Sequence, residues 1–374
     1  MPTICLDCRY IGPRPSGIGT VVQALVDFLP QLAPDWRFKL LRNPALDHPL
    51  SQAGNVVEVA VQAAANGPGT MWWLPRLVDL ADVDLFHAPA NILPRGLAMR
   101  TVTTIHDLMW LTDPALCNPR QWGRVERLFY RHGISRALRQ SDAILTVSEA
   151  TRHEISRLQA GLAAKTTAIL PGVSDQFRPV DLTDSDRLRL GLPAGDYILT
   201  IGQDAPYKNH AAALRGFAGA FGQGHDMNLV FVQRRSVGTI HLQQLAASMG
   251  LAERVSFLAP VADVDLPLLY SGARALLHPS LCEGFGMPLA EAMACACPVI
   301  TSNRSTMPEV TAGAALLVDP LDTDSIAAAL TRLASDPALA AELSRKGLAR
   351  ARELDRRAFA AATLDIYRRV LNAA

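Results

Sequence analysis

The sequence HPSLCEGFGMPLAEAMACACPVI, residues 278–300, lies between two short apolar runs that predict β-strands. The loop inside it carries Gly284 and Gly286 and leads into a short apolar helix. A glycine loop that opens a helix after a parallel strand is typical of phosphate sites in α/β proteins, because unpaired N–H groups at the helix N-terminus point at the anion. The stretch therefore predicts a parallel α/β fold with an anion site at a strand end.

Two carboxylates, Glu283 and Glu291, flank that loop. They could act as an acid and a base, or each could accept hydrogen bonds from sugar hydroxyls, which a charged acceptor binds about twice as strongly as a neutral one. In the alternative interpretation, Glu283 caps the turn and Glu291 is a solvated helix residue. A phosphate site between two hydroxyl ligands has the shape of a sugar nucleotide, and the Gly, Phe and Pro around the carboxylates favour a binding loop.

Composition limits the class of protein. The chain has 374 residues, 49% of them hydrophobic, which favours two or three globular domains. Its formal net charge of +1 argues against a nucleic-acid-binding protein. Cys5 and Cys8 form a C-x-x-C inside the first predicted strand, where we expect buried small side chains rather than a redox or zinc site. There is no signal-peptide pattern and no apolar run of about 18 residues, so we expect a cytoplasmic protein.

Strand and helix patterns alternate along both halves of the chain, which predicts parallel sheets covered on both faces. The strands are too many for one sheet, so we expect two Rossmann-like domains. Residues 171–196 are rich in Pro, Gly and Asp, as in a linker. We therefore predict a first domain at 1–171 and a second at 172–356, with a last helix at 357–374 that packs back on the first domain.

Three cations follow two neighbouring strands of the second domain. Lys208 comes after the strand at residues 197–201, and Arg234 and Arg235 come after the strand at residues 228–232. A lysine beside a helix N-terminus adds a point charge to a diphosphate site, although a plain surface lysine gives the same pattern. Because the strands are adjacent, we expect the three cations to be neighbours.

His106 and Asp107 end the predicted strand TVTTIHD in the first domain. Side chains at the carboxyl ends of parallel strands face the ligand crevice of open α/β folds, and we expect Gly17–Gly19 and His87 at the same edge. The alternative is a hydrogen-bonded core histidine beside a helix-capping aspartate. For Ser148 we predict an N-cap.

Two D-x-D sequences are candidate metal ligands. Asp82 and Asp84 precede a strand, which is the wrong edge for a ligand, and for Asp263 and Asp265 we favour helix capping. We therefore expect no metal and no cofactor, with lysine and arginine neutralising the phosphates.

A basic helix is predicted over residues 120–140. Arg120, Arg124, Arg127 and Arg131 recur at helical spacing, and the tract 71–77 adds two tryptophans. A basic amphipathic helix can lie on an anionic membrane, so we weigh peripheral membrane contact through residues 120–139 against a solvated helix face.

These residues resemble retaining glycosyltransferases of family 4, which have the GT-B fold of two facing Rossmann-like domains with a deep cleft between them. The match consists of the E-x7-E pair Glu283 and Glu291, the following NRSTMPEV with Glu309, the SGIG of residues 16–19, and the IHDL that contains His106. It covers most of the chain. The resemblance implies a nucleotide sugar in the cleft as donor, with retention of anomeric configuration.

The resemblance also implies roles for single residues. Glu283 would hold donor-sugar hydroxyls, Glu291 the ribose, and His106 and Asp107 would face the transferred sugar. The candidate catalytic residues are His106, Asp107, Lys208 and Glu283. The candidate donor-binding residues are Gly17, Gly19, Gln203, Lys208, Arg234, Arg235, Glu283, Gly284, Phe285, Gly286, Met287, Pro288, Leu289 and Glu291.

Lys208 matches the lysine of the family's phosphate-binding pair, but Gln203 stands where the family has arginine, so Arg234 or Arg235 is expected to supply the second charge. The pair Lys208–Asn209 resembles the bacterial subgroup that builds O-antigen and exopolysaccharide. This implies transfer of mannose from GDP-mannose to a glycan or lipid-linked glycan. The alternatives are a nucleotide-sugar epimerase of the same architecture and a non-catalytic sugar-nucleotide binding protein.

Overall fold

The computed structural model describes residues 1–13, 16–118, 123–222 and 224–373. The chain forms two compact units: an N-terminal unit of Met1–Pro114, Arg120–Gly172 and Asp355–Ala374, and a C-terminal unit of Ala115–Pro119 and Val173–Leu354. The chain leaves the N-terminal unit after Gly172, where an added Cβ would lie 2.1 Å from the backbone nitrogen of Arg356. Only glycine therefore fits where these two segments of the N-terminal unit meet.

The N-terminal unit is built on a parallel sheet of seven strands in the order β3-β2-β1-β4-β5-β6-β7. Its strands are β1 Thr3–Asp7, β2 Arg37–Arg42, β3 Val56–Ala60, β4 Leu85–Ala88, β5 Arg100–Ile105, β6 Ala143–Thr146 and β7 Thr166–Ala168. Strands β1, β4 and β5 are almost wholly buried because helices cover both faces of the sheet. Cys5 and Cys8 are buried in this interior, as expected for small packing residues.

Helices of the N-terminal unit cover this sheet. They are α1 Gly17–Leu32, α2 Pro68–Leu77, α3 Met109–Thr112, α5 Gly123–Gln140, α6 Glu149–Leu158 and α15 Arg356–Asn372, with a 3-10 helix at Ala160–Lys165; helix α4, Pro114–Cys117, lies at the unit boundary. The predicted helix at residues 120–140 is described from Gly123 onward. Arg120 and Trp122 lie outside the described residues.

The last helix, α15, is part of the N-terminal core. Phe359, Leu364 and Tyr367 join the same buried cluster as Leu6 and Leu25. Inside the sheet, Nδ1 of His87 lies 2.5 Å from the Tyr367 hydroxyl, and its Nε2 lies 2.8 Å from the Thr104 hydroxyl. His87 lies near the carboxyl end of β4, where it was expected, but both of its ring nitrogens are used in a buried link to α15 and β5.

The C-terminal unit contains a parallel sheet of six strands in the order β10-β9-β8-β11-β12-β13. Its strands are β8 Tyr197–Ile201, β9 Asn228–Val232, β10 Val255–Leu258, β11 Ala275–His278, β12 Val299–Ser302 and β13 Ala315–Val318. Because β9 and β11 both pair with β8, the loops after these three strands leave the sheet side by side.

The helices of the C-terminal unit pack on this sheet. They are α7 Asp184–Leu190, α8 His210–Ala220, α9 Val237–Ser248, α10 Leu266–Gly272, α11 Met287–Ala294, α12 Met307–Thr311, α13 Thr323–Ser335 and α14 Pro337–Glu353, with 3-10 turns at Pro206–Lys208, Ala252–Arg254 and Asp263–Asp265. Helix α7 lies inside the segment interpreted as a linker. Its signals are a capping box between Thr183 and Asp186 and a left-handed Gly191 at its end.

No helix within the described parts of the chain is both long enough and apolar enough to span a bilayer.

Replacing Tyr367 with Phe should lower the free energy of unfolding of the N-terminal unit by about 1–2 kcal/mol, because a buried His87 nitrogen loses its partner. All 5 tryptophans lie between residues 36 and 122, so tryptophan fluorescence during urea unfolding reports this unit alone. Tyr10→Phe is the matched control, since the Tyr10 hydroxyl forms no hydrogen bond to a described residue. Equal midpoints for the two variants would contradict the His87 link.

Candidate active site

The loop between β11 and α11 is the centre of the site. Gly286 has a φ of +91° immediately before Met287, the first residue of α11, and no side chain caps this helix start. A Cβ on Gly286 would lie 3.1 Å from Cδ1 of Leu289. The glycine thus allows a tight entry into the helix, and the uncapped backbone N–H groups make its N-terminus suited to an anion.

Glu283 lies in this loop as the acceptor of three hydrogen bonds. Its Oε1 accepts from Lys208 Nζ at 2.7 Å, from the Ser280 hydroxyl at 2.7 Å and from His278 Nε2 at 2.9 Å. Burial by itself raises the pKa of Glu283, but the Lys208 charge and the hydrogen bond from His278 hold it well below its usual range. Glu283 is therefore an ionised hydrogen-bond acceptor at neutral pH.

Lys208 reaches Glu283 from the neighbouring loop after β8. Burial lowers the pKa of Lys208, but the Glu283 charge outweighs this and raises it above its usual value. The lysine chain passes over Gly202, where a Cβ would lie 3.2 Å from Lys208 Cε. The backbone N–H of Leu281 donates to the Tyr207 carbonyl at 2.7 Å and ties the two loops together.

Asn209 explains why an amide follows the lysine. It adopts a left-handed conformation with a φ of 56°. Its side-chain NH₂ donates to the carbonyls of Pro320, at 2.7 Å, and Pro279, at 3.2 Å. Asn209 thus fixes the β8 loop against two other loops at the same sheet edge and fixes the backbone from which Lys208 projects.

The other predicted phosphate contacts are exposed. Gln203 donates through Nε2 to the Tyr207 hydroxyl at 3.3 Å. Arg234 and Arg235 follow β9, beside β8 in the sheet, and neither guanidinium has an ion-pair partner among the described residues. Their predicted role as the second cation stays a prediction.

Glu291 occupies a different environment from Glu283. It lies one turn into α11, and its Oε2 accepts a hydrogen bond from the Tyr270 hydroxyl at 2.7 Å. Burial, together with the nearby Asp263 charge, raises the pKa of Glu291 to about 7. The two carboxylates therefore differ in charge behaviour, and neither is the plain capping or solvated residue of the alternative interpretation.

The loop from β12 to α12 braces the glycine loop. The Ser305 hydroxyl donates to the Glu283 carbonyl at 2.9 Å, and the Thr306 hydroxyl donates to the Phe285 carbonyl at 3.1 Å. Gly284 lies between these two braced residues, and Pro288 occupies the first turn of α11. Hydrogen bonds from a separate loop thus determine the backbone path through the predicted phosphate site.

His106 has the hydrogen-bonded core environment of the alternative interpretation, and Asp107 accepts a hydrogen bond from the backbone at the start of α3. His106 Nε2 donates to the Pro89 carbonyl at 2.7 Å, and burial lowers the pKa of His106 to about 4, so the ring is neutral. Asp107 Oδ1 accepts from the Met109 N–H at 3.0 Å at the start of α3. Contact of either residue with a transferred sugar stays a prediction.

Gly17 and Gly19 belong to the first turn of α1 rather than to an open loop. The Ser16 hydroxyl accepts the Gly19 N–H at 3.0 Å, so that donor is already used. A Cβ on Gly19 would lie 2.7 Å from the Tyr10 carbonyl oxygen. The close approach of Tyr10 is thus sufficient to require glycine here, and donor binding by Gly17 and Gly19 stays a prediction.

Comparison with known proteins shows the family. Residues 15–177 match the model described as Glycosyltransferase Family 4, and residues 187–350 match the model described as Glycosyl transferases group 1. O-antigen chain mannosyltransferase B of Escherichia coli is 31% identical over 292 residues, which are 76% of this chain and 74% of that protein. The chain belongs to glycosyltransferase family 4.

A further relative and two solved structures are also similar to the enzyme. O-antigen chain mannosyltransferase RfbU of Salmonella typhimurium is 28% identical over 57% of each chain. Sucrose-phosphate synthase of Thermosynechococcus elongatus has a TM-score of 0.77 at 23% identity, over 100% of both chains. The glycosyltransferase WaaG has a TM-score of 0.72 at 16% identity, over 99% of this chain and 100% of its own. The predicted GT-B fold is confirmed, and the enzyme is a glycosyltransferase rather than an epimerase.

Three of the four aspartates in the two D-x-D sequences of this glycosyltransferase have structural partners. Asp82 pairs with Lys39, and Asp84 accepts the Thr3 N–H at 2.7 Å before β4 begins. Asp265 forms an ion pair with Arg189 at 2.9 Å and makes no capping hydrogen bond to α10, so the capping interpretation is wrong there. The described residues contain no cluster of three metal-ligating side chains. Metal independence stays a prediction.

Several polar residues of the site were missed by sequence reasoning. His278 and Ser280 lie within the stretch at residues 278–300, and their signal was a polar side chain at a strand end that burial would force into pairing. Tyr270, Ser305 and Thr306 carry no local signal, because they reach the loop from other elements. Ser148, by contrast, caps α6 by accepting the Thr151 N–H as predicted.

The N-terminal unit should lose stability as the pH falls below about 6.5. Burial lowers the pKa of His87 to about 3 and of His106 to about 4, so the unfolded chain binds more protons than the folded unit between about pH 6.5 and pH 4. Stability is thus complete above pH 6.5, and each histidine should cost about 2 kcal/mol at pH 5.

The urea midpoint followed by tryptophan fluorescence measures this dependence. His106→Gln should reduce the slope of midpoint against pH, whereas His48→Gln, at an exposed position, should leave it unchanged. Parallel slopes for the wild-type enzyme and His106→Gln would contradict the interpretation.

Proposed function

We propose that the enzyme transfers mannose, with retention of configuration, from GDP-mannose to a glycan or lipid-linked glycan during polysaccharide assembly. The family membership and the mannosyltransferase names of its relatives from Escherichia coli and Salmonella typhimurium support this proposal. The observation that carries it is the buried ion pair of Lys208 and Glu283, 2.7 Å apart at the carboxyl edge of the sheet beside an uncapped helix start.

Charge assigns each part of the nucleotide-sugar donor to one group of the site. Glu283 accepts hydrogen bonds from hydroxyls of the mannose, and Glu291 accepts them from the ribose. The N-terminus of α11 and the lysine ammonium bind the diphosphate, with Arg234 or Arg235 as a second cation. These fixed positive groups are aimed at the charge that develops on the leaving GDP, which is the main electrostatic demand of the reaction.

Retention follows in this proposal from attack on the face that the diphosphate leaves. As the bond from mannose C1 to the phosphate oxygen breaks, the acceptor oxygen bonds to C1, and its proton passes to an oxygen of the departing diphosphate. The products are GDP and a mannoside with unchanged configuration. Because the cations of the site neutralise the diphosphate, the proposed reaction needs no metal.

Lys208→Ala and Glu283→Gln should each reduce kcat/KM for transfer by at least about tenfold, since each removes a charge that the donor or the transition state uses. The assay follows mannose transfer from GDP-mannose to membrane-extracted lipid-linked acceptors, in EDTA. The matched controls are Lys346→Ala and Glu342→Ala, which change an exposed pair of the same residue types on α14 and should keep wild-type activity.

Wild-type turnover by Lys208→Ala and Glu283→Gln would refute the proposed assignment of the site. Loss of wild-type transfer in EDTA, restored by magnesium, would refute metal independence. A donor that binds but is never consumed, with any acceptor, would instead support the non-catalytic alternative.

We also propose that the enzyme docks on an anionic membrane through one face of the N-terminal unit. On α2 this face presents exposed Trp72, Trp73 and Leu77, and on α5 it presents exposed Val125 and Leu128. The two helices meet where the Trp72 ring lies 5.9 Å from Phe129 and 6.3 Å from His132. Aromatic side chains beside aliphatic ones are suited to the headgroup region of a bilayer.

The positive charge of this face favours binding to an anionic bilayer. Arg76 on α2 and Arg124, Arg127 and Arg131 on α5 are exposed on the same two helices, against the single acidic Glu126. Each basic residue near an anionic surface contributes about 1 kcal/mol to binding. Such docking would bring the enzyme to a lipid-linked acceptor.

Reversing Arg124, Arg127 and Arg131 to Glu should abolish sedimentation with vesicles that contain phosphatidylglycerol. Trp72→Ala with Trp73→Ala should weaken sedimentation about tenfold, because buried apolar area is lost. The matched control is Arg345→Glu with Arg352→Glu, which reverses exposed arginines on α14 of the other unit. Absent sedimentation of the wild-type enzyme, or unchanged sedimentation of the reversed variant, would refute the proposal.

A further inference from the structure

The three hydrogen bonds to Glu283 all end on one oxygen atom. Lys208, Ser280 and His278 each donate to Oε1, and no described residue donates to Oε2. A carboxylate held in this way cannot rotate without breaking three hydrogen bonds to a charged acceptor. The arrangement therefore leaves Oε2 available for a ligand in a defined direction.

The geometry also determines the tautomer of His278. Its Nε2 lies 2.9 Å from Oε1 of Glu283, and because Glu283 is ionised, a lone pair on Nε2 would face a negative oxygen. Nε2 must therefore carry the proton and donate it. The Ser280 hydroxyl, 3.2 Å from Nε2, then donates to Oε1 as well.

These two residues are more deeply buried than Lys208 and Glu283. The side chain of His278 is 2% exposed and Ser280 is fully buried. The Thr301 hydroxyl on β12 donates to the His278 carbonyl at 2.8 Å, so β11 and β12 together fix the strand end. Their positions do not depend on a flexible chain, whereas Lys208 projects its charge on four methylene groups.

Lys208 therefore has two acceptors to serve. When no nucleotide sugar is bound, Lys208 neutralises Glu283; in the proposed function it also binds the diphosphate. An ammonium group has three donors, so Lys208 can donate to the phosphate and to Glu283 together, but other groups must then fix the direction of the carboxylate. His278 and Ser280 are the described groups already placed to do so.

We propose that His278 and Ser280 are positioning residues, which hold Oε1 of Glu283 so that Oε2 is presented to the hydroxyls of the donor sugar while Lys208 engages the diphosphate. This inference rests on the proposed function, because it assigns Glu283 to the sugar. It adds separate roles for these side chains: Lys208 binds the diphosphate, whereas His278 and Ser280 donate hydrogen bonds that orient the Glu283 carboxylate.

The test compares ligands with and without the sugar. In His278→Leu the affinity for GDP-mannose, measured by calorimetry, should fall about tenfold, while the affinity for GDP, which lacks the sugar, should change less than about twofold. His278→Gln, whose amide can replace the Nε2 donor, should restore most of the loss, and Ser280→Ala should lose about threefold in affinity for GDP-mannose.

Two further readouts separate positioning from a structural role. Loss of a donor to Glu283 raises the pKa of that carboxylate, so the ratio of GDP-mannose affinity to GDP affinity should fall at a higher pH in His278→Leu than in the wild-type enzyme and return in His278→Gln. Without any ligand, the urea midpoints of His278→Leu, Glu283→Gln and the double variant should be non-additive, because the two side chains interact directly; they are followed by circular dichroism, since the C-terminal unit has no tryptophan.

Equal losses for GDP and GDP-mannose, or additive midpoints, would overturn the positioning role. If the wild-type enzyme binds neither GDP nor GDP-mannose, the proposed donor fails instead. Non-additive midpoints would then still support the coupling of His278 to Glu283, and additive midpoints would refute it.

Discussion

The buried ion pair between Lys208 and Glu283 is the interaction on which the rest of the site depends. Taking two charges out of water is costly, and the 2.7 Å contact between them offsets that cost only when the remaining lone pairs and protons are also satisfied. His278 and Ser280 supply those hydrogen bonds. Removing one member of such a pair would leave an uncompensated buried charge, which is strongly destabilising. Each charged residue of the cluster therefore depends on the other.

This pair exists because of the sheet topology. Lys208 follows β8 and Glu283 follows β11, and these two strands are neighbours although 75 positions separate the residues in sequence. Parallel pairing brings the carboxyl ends of both strands to one edge, and the β12 loop adds Ser305 and Thr306 there. Candidate catalytic groups from distant segments are thus assembled by a framework made of buried aliphatic strands.

Much of this could be predicted from local pattern. Strands β8 and β9 have the predicted bounds, because continuous apolar runs between turn residues leave little choice. Helix α7 was missed although its capping box was readable at Thr183 and Asp186. The burial of His87 was not predicted, because strand alternation does not reveal that a helix 280 residues later supplies a hydroxyl to its ring. Asp265 was misassigned because its partner, Arg189, lies on that unpredicted helix.

By itself, the sequence determined the alternation of strands and helices, the glycine loop at residues 284–286, and the identity of the charged residues at strand ends. These features are local, since they follow from hydrophobic period, from backbone freedom at glycine and from residue type. Tertiary structure alone decided which oxygen of Glu283 is held, which tautomer His278 adopts, and why two carboxylates in one motif differ in pKa. Those properties depend on burial and on partners from other segments, and neither burial nor partners can be read from spacing along the chain.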